Sequence, residues 1–491
     1  MKPTSIPQAS WRELLHRQYL PKLATMALAL WLHASNSMLT ATTMPSAVAE
    51  IGGLNLISWT FALYLAGSIT AAASISLLVA SYGLKSTMIR TALVFALGCG
   101  VVATAPNMPV LLLGRVLQGL GGGGLIALVY VSQDRFFPNH LVPRTIAFLS
   151  SVWMMAAFSG PLIGGAFATA GAWRLAYWAF AAQGLLLIPA VHFLLRSATA
   201  EMRLVAEPIP IVRLLLLSAA ILLVAVSGAY YHPFGSPVLV VLGCLAIVLF
   251  VLRDRRATRA RMLPAEVIDY THVIGNGIAS VLLLCISIMS FLVYGPLILI
   301  ELYGLTPLQA GFIVLLESLA WGSAAIAFSG LRHEREPALI RCGAALVLVG
   351  LVAMAIVFPR GWLWALVVAV LVLNGGFGMM WGFIIKRVIA AAAPADKDRT
   401  ASLLPITQQT GFALGAALSG LIANRLGIDA ATSPDGFSLE RLRDVAFWLF
   451  AGFVPLAILG NLMAWRFVSP RARSSGGAES LQGVEVGAAE Q

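Results

Sequence analysis

Residues 109–132 read PVLLLGRVLQGLGGGGLIALVYVS, an apolar run holding one charge and, between positions 119 and 124, a cluster of glycines. At 1.5 Å per residue such a run crosses a hydrocarbon core of about 30 Å, and its backbone is satisfied there only as a helix. The lone charge says where that helix sits. An ionisable group inside a span costs roughly 2.5–3.5 kcal/mol on insertion scales, so each one is a functional candidate by default. Gln118 follows Arg115 by about one turn and projects the same way, toward a cavity. A structural alternative is that Arg115 caps backbone carbonyls of a neighbouring helix. Gly119 and Gly121–Gly124 let another backbone approach closely.

Composition extends this reading to the whole chain. Of 491 residues, 59% are hydrophobic and 11% charged, with a mean hydropathy of +0.88. Soluble domains carry about 25% charged residues, so lipid is the main solvent here. The net charge of +11 comes from residues scattered over short loops, and no nucleic-acid partner is expected. Cys99, Cys244, Cys285 and Cys342 lie in or beside apolar segments without C-x-x-C spacing, so neither a zinc site nor a disulfide framework is supported. The polar start and the length of the first apolar segment argue against a cleavable signal peptide. Residues 11–20 (WRELLHRQYL) read either as a short basic amphipathic helix on the inner membrane surface or as a solvated arm.

Membrane-length apolar runs fall near residues 23–47, 56–80, 88–105, 109–132, 145–168 and 174–194, then 211–231 and 236–252. Six more lie near 275–300, 309–328, 339–358, 361–386, 402–424 and 445–467. Basic residues alternate between the loops that separate them. Lys2, Arg12, Arg17 and Lys22 precede the first span; Lys85 and Arg90, then Arg135 and Arg144, flank the second and fourth loops. Arg196, Arg203 and Arg213 surround the sixth, and RDRRATRARM at 253–262 fills the eighth. Arg332, Arg335 and Arg341, then Lys386, Arg387, Lys397 and Arg399, and finally Arg466, Arg471 and Arg473 complete the series. Intervening loops are nearly free of Lys and Arg, apart from Arg174, Arg360 and the mixed-charge loop GIDAATSPDGFSLERLRD at 427–444, which has no assigned role. Short basic loops stay cytoplasmic. The expectation is a multi-pass cell-membrane protein with about fourteen spans and both termini in the cytoplasm (an inner membrane, if the source is Gram-negative).

A weak internal echo points to two related halves. MIRTALVFALG at 88–98 resembles LIRCGAALVLVG at 339–350, and LQGLGGGG at 117–124 resembles LNGGFGMMWG at 373–382. The implied plan is an N-terminal arm at 1–21, a six-helix half at 22–195, and a linker at 196–262 holding two inserted helices and the basic loop. A second six-helix half at 263–467 and a disordered tail at 468–491 follow. Parallel halves of this kind are a transporter plan.

The fifth span holds SGPLIGGAF at 159–167. Pro161 removes a backbone donor and bends the helix, while Gly160, Gly164 and Gly165 make a flat face for tight packing, which suits a pivot or a seal. A kinked structural helix is the plainer reading.

Together, GRVLQGLGGGG at 114–124, SGPLIGGAF and AWR at 172–174 resemble the fourth- and fifth-span signatures of the major facilitator superfamily, and with fourteen spans the fourteen-span drug:proton antiporters. YGPLILIELYGLTPLQAG at 294–311 and QQTGFALGAALSG at 408–420 are similar to further spans of that family. The resemblance covers residues 20–467. It implies an all-α major facilitator fold of two six-helix halves plus two inserted helices, export rather than import through the G-P-x-x-G-G pattern, and a proton-coupling role for Arg115. Two departures bear on coupling. The first-span acid that the family places about nine residues before a Pro is Asn36 here, counted from Pro45, and an amide carries no proton. The loop SLLVASYGLKS at 76–86 keeps Leu78, Gly83 and Lys85 but has Ser76 and Ala80 where Gly and Asp are expected.

Glu317, in GFIVLLESLAWG at 311–322, lies about 12 Å past the outer boundary and is the first candidate proton carrier. His33, one turn before Asn36, is the second. Glu301 reads as interfacial. Candidates for the substrate cavity are Asn36, Gln118, Trp153, Tyr294, Trp381 and Gln409, joined by Trp59, Tyr64, Met154 and Met379, since aromatic and Met-rich walls suit bulky apolar or cationic compounds.

The function these features predict is secondary transport exporting small amphipathic compounds or drugs in exchange for protons, with small molecules, protons and lipid as partners and a monomer as the working form. Proton-coupled uptake, uniport of a small metabolite and a transporter-like sensor stay open. No G-x-x-x-x-G-K-[ST], H-E-x-x-H or nucleophile–base pair is found, so neither ATP-driven pumping nor enzymatic activity is expected, nor any cofactor or metal.

Overall fold

The computed structural model describes residues 11–138, 140–194, 210–229, 234–257, 261–329, 333–393, 396–428 and 438–469. The tail beyond 469, Arg196, Arg203, Arg259 and Arg332, and positions 429–437 of the last outer loop lie outside the described residues.

Every long element is a helix. They run α1 Leu20–Ile51, α2 Ile57–Tyr82, α3 Leu84–Ala103, α4 Met108–Phe136, α5 Val142–Thr169, α6 Trp173–Leu194, α7 Ile211–Ala229 and α8 Gly235–Arg256. Then come α9 Val273–Tyr303, α10 Pro307–Ser329, α11 Glu336–Val357, α12 Leu363–Ala391, α13 Lys397–Arg425, α14 Leu439–Ala451 and α15 Val454–Phe467. Local chemistry sets several ends. Asn107 caps α4 by accepting from the Val110 N–H at 3.1 Å. Gly83, at φ +78°, permits the one-residue turn between α2 and α3 that a side chain would strain.

Twelve described helical segments are long and apolar enough to cross a membrane, with α14 and α15 together forming one of them. α1 and α13 have the length, 32 and 29 residues, but too many polar groups to meet that measure. The polar groups of α1 are hidden: His33, Ser35, Asn36, Thr40, Thr42 and Thr43 are all buried. A polar helix of this length is stable in lipid only when other helices cover its polar face, and α1 meets that condition. Fourteen spans follow when α1 and α13 are counted.

Two compact units make up the fold. The first comprises residues 1–214 and 299–315. In it α4 is packed against α2 and α3 through glycine. A Cβ on Gly67 would stand 2.9 Å from the Val116 carbonyl, and one on Gly98 would stand 2.5 Å from the Gln118 amide nitrogen. The second comprises residues 215–298 and 316–491. Here α11 and α12 cross in the corresponding way, since a Cβ on Gly350 would stand 2.7 Å from the Leu373 nitrogen and one on Gly343 would lie 2.6 Å from the Gly376 carbonyl. The two sequence echoes thus mark two helix pairs with matching glycine contacts. In the same unit α7 rests on α13, where Asn424 Nδ2 donates to the Gly228 carbonyl at 2.9 Å.

Several loop charges have partners. Arg174 forms an ion pair with Glu50 at 2.8 Å and donates to the Ala105 carbonyl at 2.7 Å, while Trp173 Nε1 donates to Glu50 at 2.6 Å. Lys85 donates to the His192 carbonyl at 2.8 Å, at the C-terminal end of α6, and Arg90 lies 3.7 Å over the Tyr82 ring. These contacts occupy the loop whose expected aspartate is Ala80. Among the described residues before α1, Trp11–Leu14 is helical, and Glu13 meets His140 at 2.9 Å.

Candidate functional site

Arg115 is the centre of a fully buried cluster in the first unit. Its Nε donates to the Thr60 carbonyl at 2.8 Å, and its Nη1 donates to Asn36 Oδ1 at 3.0 Å and to Gln118 Oε1 at 2.6 Å. The guanidinium lies 4.4 Å over the ring of Tyr64. One helix face of α4 therefore binds α1 through Asn36 and α2 through Thr60 and Tyr64. The structural reading of Arg115 is met here, because it caps the Thr60 carbonyl of a neighbouring helix, and Gln118 projects the same way and bonds to it. Among the described residues no carboxylate pairs with it, and both Arg115 Nη2 and Asn36 Nδ2 are buried without a hydrogen-bond partner.

The network continues on both sides. Tyr64 Oη lies 2.9 Å from His33 Nδ1 and donates to the His33 carbonyl at 3.0 Å. His33 in turn stands edge-on to Trp153 at 6.1 Å between centroids. Gln118 Nε2 donates to Cys99 Sγ at 3.3 Å. A Cβ on Gly122 would come within 2.9 Å of His33 Nδ1, so the glycine run also makes room for this histidine. The structure brings together His33, Asn36, Arg115, Gln118 and Trp153. Sequence reasoning missed Thr60 and Cys99, and placed Tyr64 in a cavity wall rather than beneath a guanidinium. Nothing in periodicity links residues of α2 or α3 to an arginine of α4.

The motif of α5 forms a second locus in the same unit. A Cβ on Gly160 would approach the Ser35 carbonyl of α1 to 2.9 Å, and one on Gly164 would approach the Leu39 carbonyl to 2.7 Å. Thr42 Oγ1 donates to the Pro161 carbonyl at 3.1 Å. Gly165 faces the start of α10, where its Cβ would stand 2.8 Å from the Pro307 carbonyl, and the Leu308 N–H donates to Thr169 Oγ1 at 3.0 Å. A Cβ on Gly311 would lie 2.7 Å from the Pro161 carbonyl. The Gly-Pro face thus holds α1 on one side and the first turns of α10 on the other.

Of the remaining candidates, Trp59 is half-buried and Met154 exposed in the first unit, and the others lie in the second. Glu317 is half-buried, and its Oε2 is shut from solvent without a hydrogen-bond partner. One turn further along α10, Trp321 packs on Phe377 at 4.5 Å and on Trp381 at 6.2 Å, with Phe377 and Trp381 stacked at 5.7 Å. Tyr294 is fully buried, and Gln409 is half-buried with Oε1 unpartnered.

This geometry agrees with comparison to known proteins. A family model described as Major Facilitator Superfamily matches residues 26–386. A probable multidrug-efflux transporter of Mycobacterium tuberculosis is 31% identical over 444 residues, covering 86% of this chain and 92% of that one. The multidrug efflux pump SdrM of Staphylococcus aureus is 24% identical over 415 residues, covering 81% and 88%. Among solved structures, a D-xylose–proton symporter superposes with a TM-score of 0.64 at 12% identity, covering 93% of this chain and 99% of that one. The POT family transporter PepTSo gives 0.58 at 15% identity, covering 92% and 99%. At those identities the structures speak for the fold alone. The chain belongs to the major facilitator superfamily. It is a multi-pass membrane transporter of small substrates.

Proposed function

We propose that this transporter exports small amphipathic compounds, including drugs, from the cytoplasm in exchange for protons, by alternating access of two six-helix halves at 22–195 and 263–467 with both termini cytoplasmic. The observation that carries the reading is the 31% identity to a probable multidrug-efflux transporter along 86% of the chain. The close fit of Gly160, Pro161, Gly164 and Gly165 to α1 and α10 supports it, since export by rocking needs one state held shut by close packing.

In this reading Glu317 carries the proton, its Oε2 being sheltered and unpartnered. His33 is the alternate carrier, and Arg115 holds the first-unit cluster in register. Trp153, Tyr294, Trp381 and Gln409 contact substrate, while Asn36 and Gln118 act through Arg115. No enzymatic step is proposed. Everted vesicles provide the test. Adding substrate to vesicles with an imposed acid-inside gradient should collapse that gradient at a rate that rises with substrate, and substrate flux without proton movement would sink antiport. That second outcome belongs to uniport, the reading that Asn36 favours by placing an amide where an acid would couple.

A further inference from the structure

Arg360 and the Arg443–Asp444 pair break the charge alternation of the loops and take no part in the sites above. Within the second unit they meet. The turn Phe358–Arg360 after α11 and the second and third turns of α14 line an open cleft of about 520 Å³. Arg360, Arg443 and Asp444 supply its charges, and Ile356, Trp362 and Phe447 its apolar wall. Arg360 Nη1 donates to the Ile356 carbonyl at 2.6 Å and its guanidinium lies 5.6 Å from the Trp362 ring, which fixes the fork while leaving donors free. Arg443 and Asp444 are exposed, and neither forms an ion pair with the other or with Arg360.

The surroundings place this cleft at a membrane boundary. It lies where the apolar run of α11 ends, and Trp362, Trp364 and Trp448 are 57%, 83% and 50% exposed. Exposed tryptophans at span ends sit at the headgroup level. Two cations, one carboxylate and an apolar wall at that level match a phospholipid headgroup that has both a phosphate and a primary ammonium.

We propose that this cleft binds phosphatidylethanolamine, with its phosphate on Arg360 and Arg443, its ammonium on Asp444 and an acyl chain along Ile356 and Phe447. A purely anionic headgroup would satisfy the arginines but meet Asp444 with repulsion. A choline headgroup offers Asp444 no N–H donor. The leaflet occupied rests on the topology proposed above, whereas binding itself does not.

The test is native mass spectrometry of the full chain, delipidated in neutral detergent and supplied with palmitoyl-oleoyl phosphatidylethanolamine, phosphatidylglycerol or phosphatidylcholine. The wild type should retain one phosphatidylethanolamine about tenfold more tightly than phosphatidylcholine. R360Q/R443Q should lose that retention, and D444N should lose the preference between the two while still binding. These positions are exposed, and an unchanged melting temperature will confirm that the variants fold. Equal retention by the wild type and R360Q/R443Q would mean annular lipid only and overturn the proposal. So would displacement of the lipid by millimolar inorganic phosphate, which marks a simple anion site, or tighter binding of phosphatidylglycerol than of phosphatidylethanolamine by the wild type.

Discussion

Replacing Gly164 with Ala tests whether exchange depends on the α1–α5 contact. The new Cβ would stand 2.7 Å from the Leu39 carbonyl, 0.7 Å short of the 3.4 Å at which ordinary van der Waals contact begins, and would also collide with Thr42 Oγ1. Neither neighbour is a flexible chain end: one is helix backbone, and the other is a hydroxyl held by the Pro161 carbonyl at 3.1 Å. The helices must separate, and a comparable shift takes the Thr42–Pro161 bond past the ~3.5 Å at which it ceases to count. Overpacking of this kind costs about 1–3 kcal/mol, and an interhelical hydrogen bond in a membrane contributes about 0.6 kcal/mol. A combined loss of roughly 2–3 kcal/mol lowers the close-packed population by about 30- to 150-fold.

Initial rates of substrate-driven gradient collapse in everted vesicles would show that loss, with expression level and melting temperature measured alongside. Thr42→Ala removes only the hydrogen bond and should slow exchange by less than about threefold. Combining it with Gly164→Ala removes the hydroxyl collision but not the carbonyl one, so rescue should be partial. Wild-type exchange by Gly164→Ala at an unchanged melting temperature would refute the reasoning, because the contact would then have neither structural nor functional weight.

Other perturbations follow from the same geometry. Arg115→Lys cannot reproduce a fork that reaches Thr60, Asn36 and Gln118 together, so transport should fall at least about tenfold with the protein still inserted, measured by flux against expression. Glu317→Gln should leave substrate binding intact and abolish substrate-linked proton movement, and full coupling in that variant would remove Glu317 as carrier. Asn36→Asp puts a carboxylate beside a guanidinium that has none, and should raise the melting temperature through a charge-assisted bond of roughly 1.5–3 kcal/mol. Lys386→Met leaves the buried Glu336 carboxylate without its 2.6 Å partner and should cost about 1–3 kcal/mol, less than a fully buried pair because Lys386 is half in solvent; thermal melting reads it.

Most of the fold is legible in the sequence because lipid imposes a single rule on it. Apolar runs of about 20 residues must be helices, and the structure has helices at each of those runs. α1 and α13 fall short by composition, yet the alternation of loop charges predicts them as spans, and burial of the α1 polar face suits α1 to that place. The site was partly legible. Arg115 and Gln118 announce themselves by cost, and the α5 glycines by density. Tyr64 and Thr60 do not, since an aromatic and a backbone carbonyl on another span carry no signal of their partner. Arg174 is an exception to the charge pattern that the structure resolves with Glu50, a residue 124 positions away in the chain.

The substitution at position 36 separates two things an acid would do. As a hydrogen-bond acceptor the Asn36 amide oxygen serves Arg115 at 3.0 Å, so the link between α1 and α4 survives without a carboxylate. As a titrating group it offers nothing, and the guanidinium is left to neutral acceptors and the face of Tyr64. The Arg115 hydrogen bonds to Thr60, Asn36 and Gln118 join α4 to α1 and α2 through neutral acceptors. The proposed mechanism accordingly gives structural register to Arg115 and proton exchange to Glu317. Loss of flux in Arg115→Lys and loss of coupling alone in Glu317→Gln should consequently be distinct phenotypes, and a single shared phenotype would mean that one group does both.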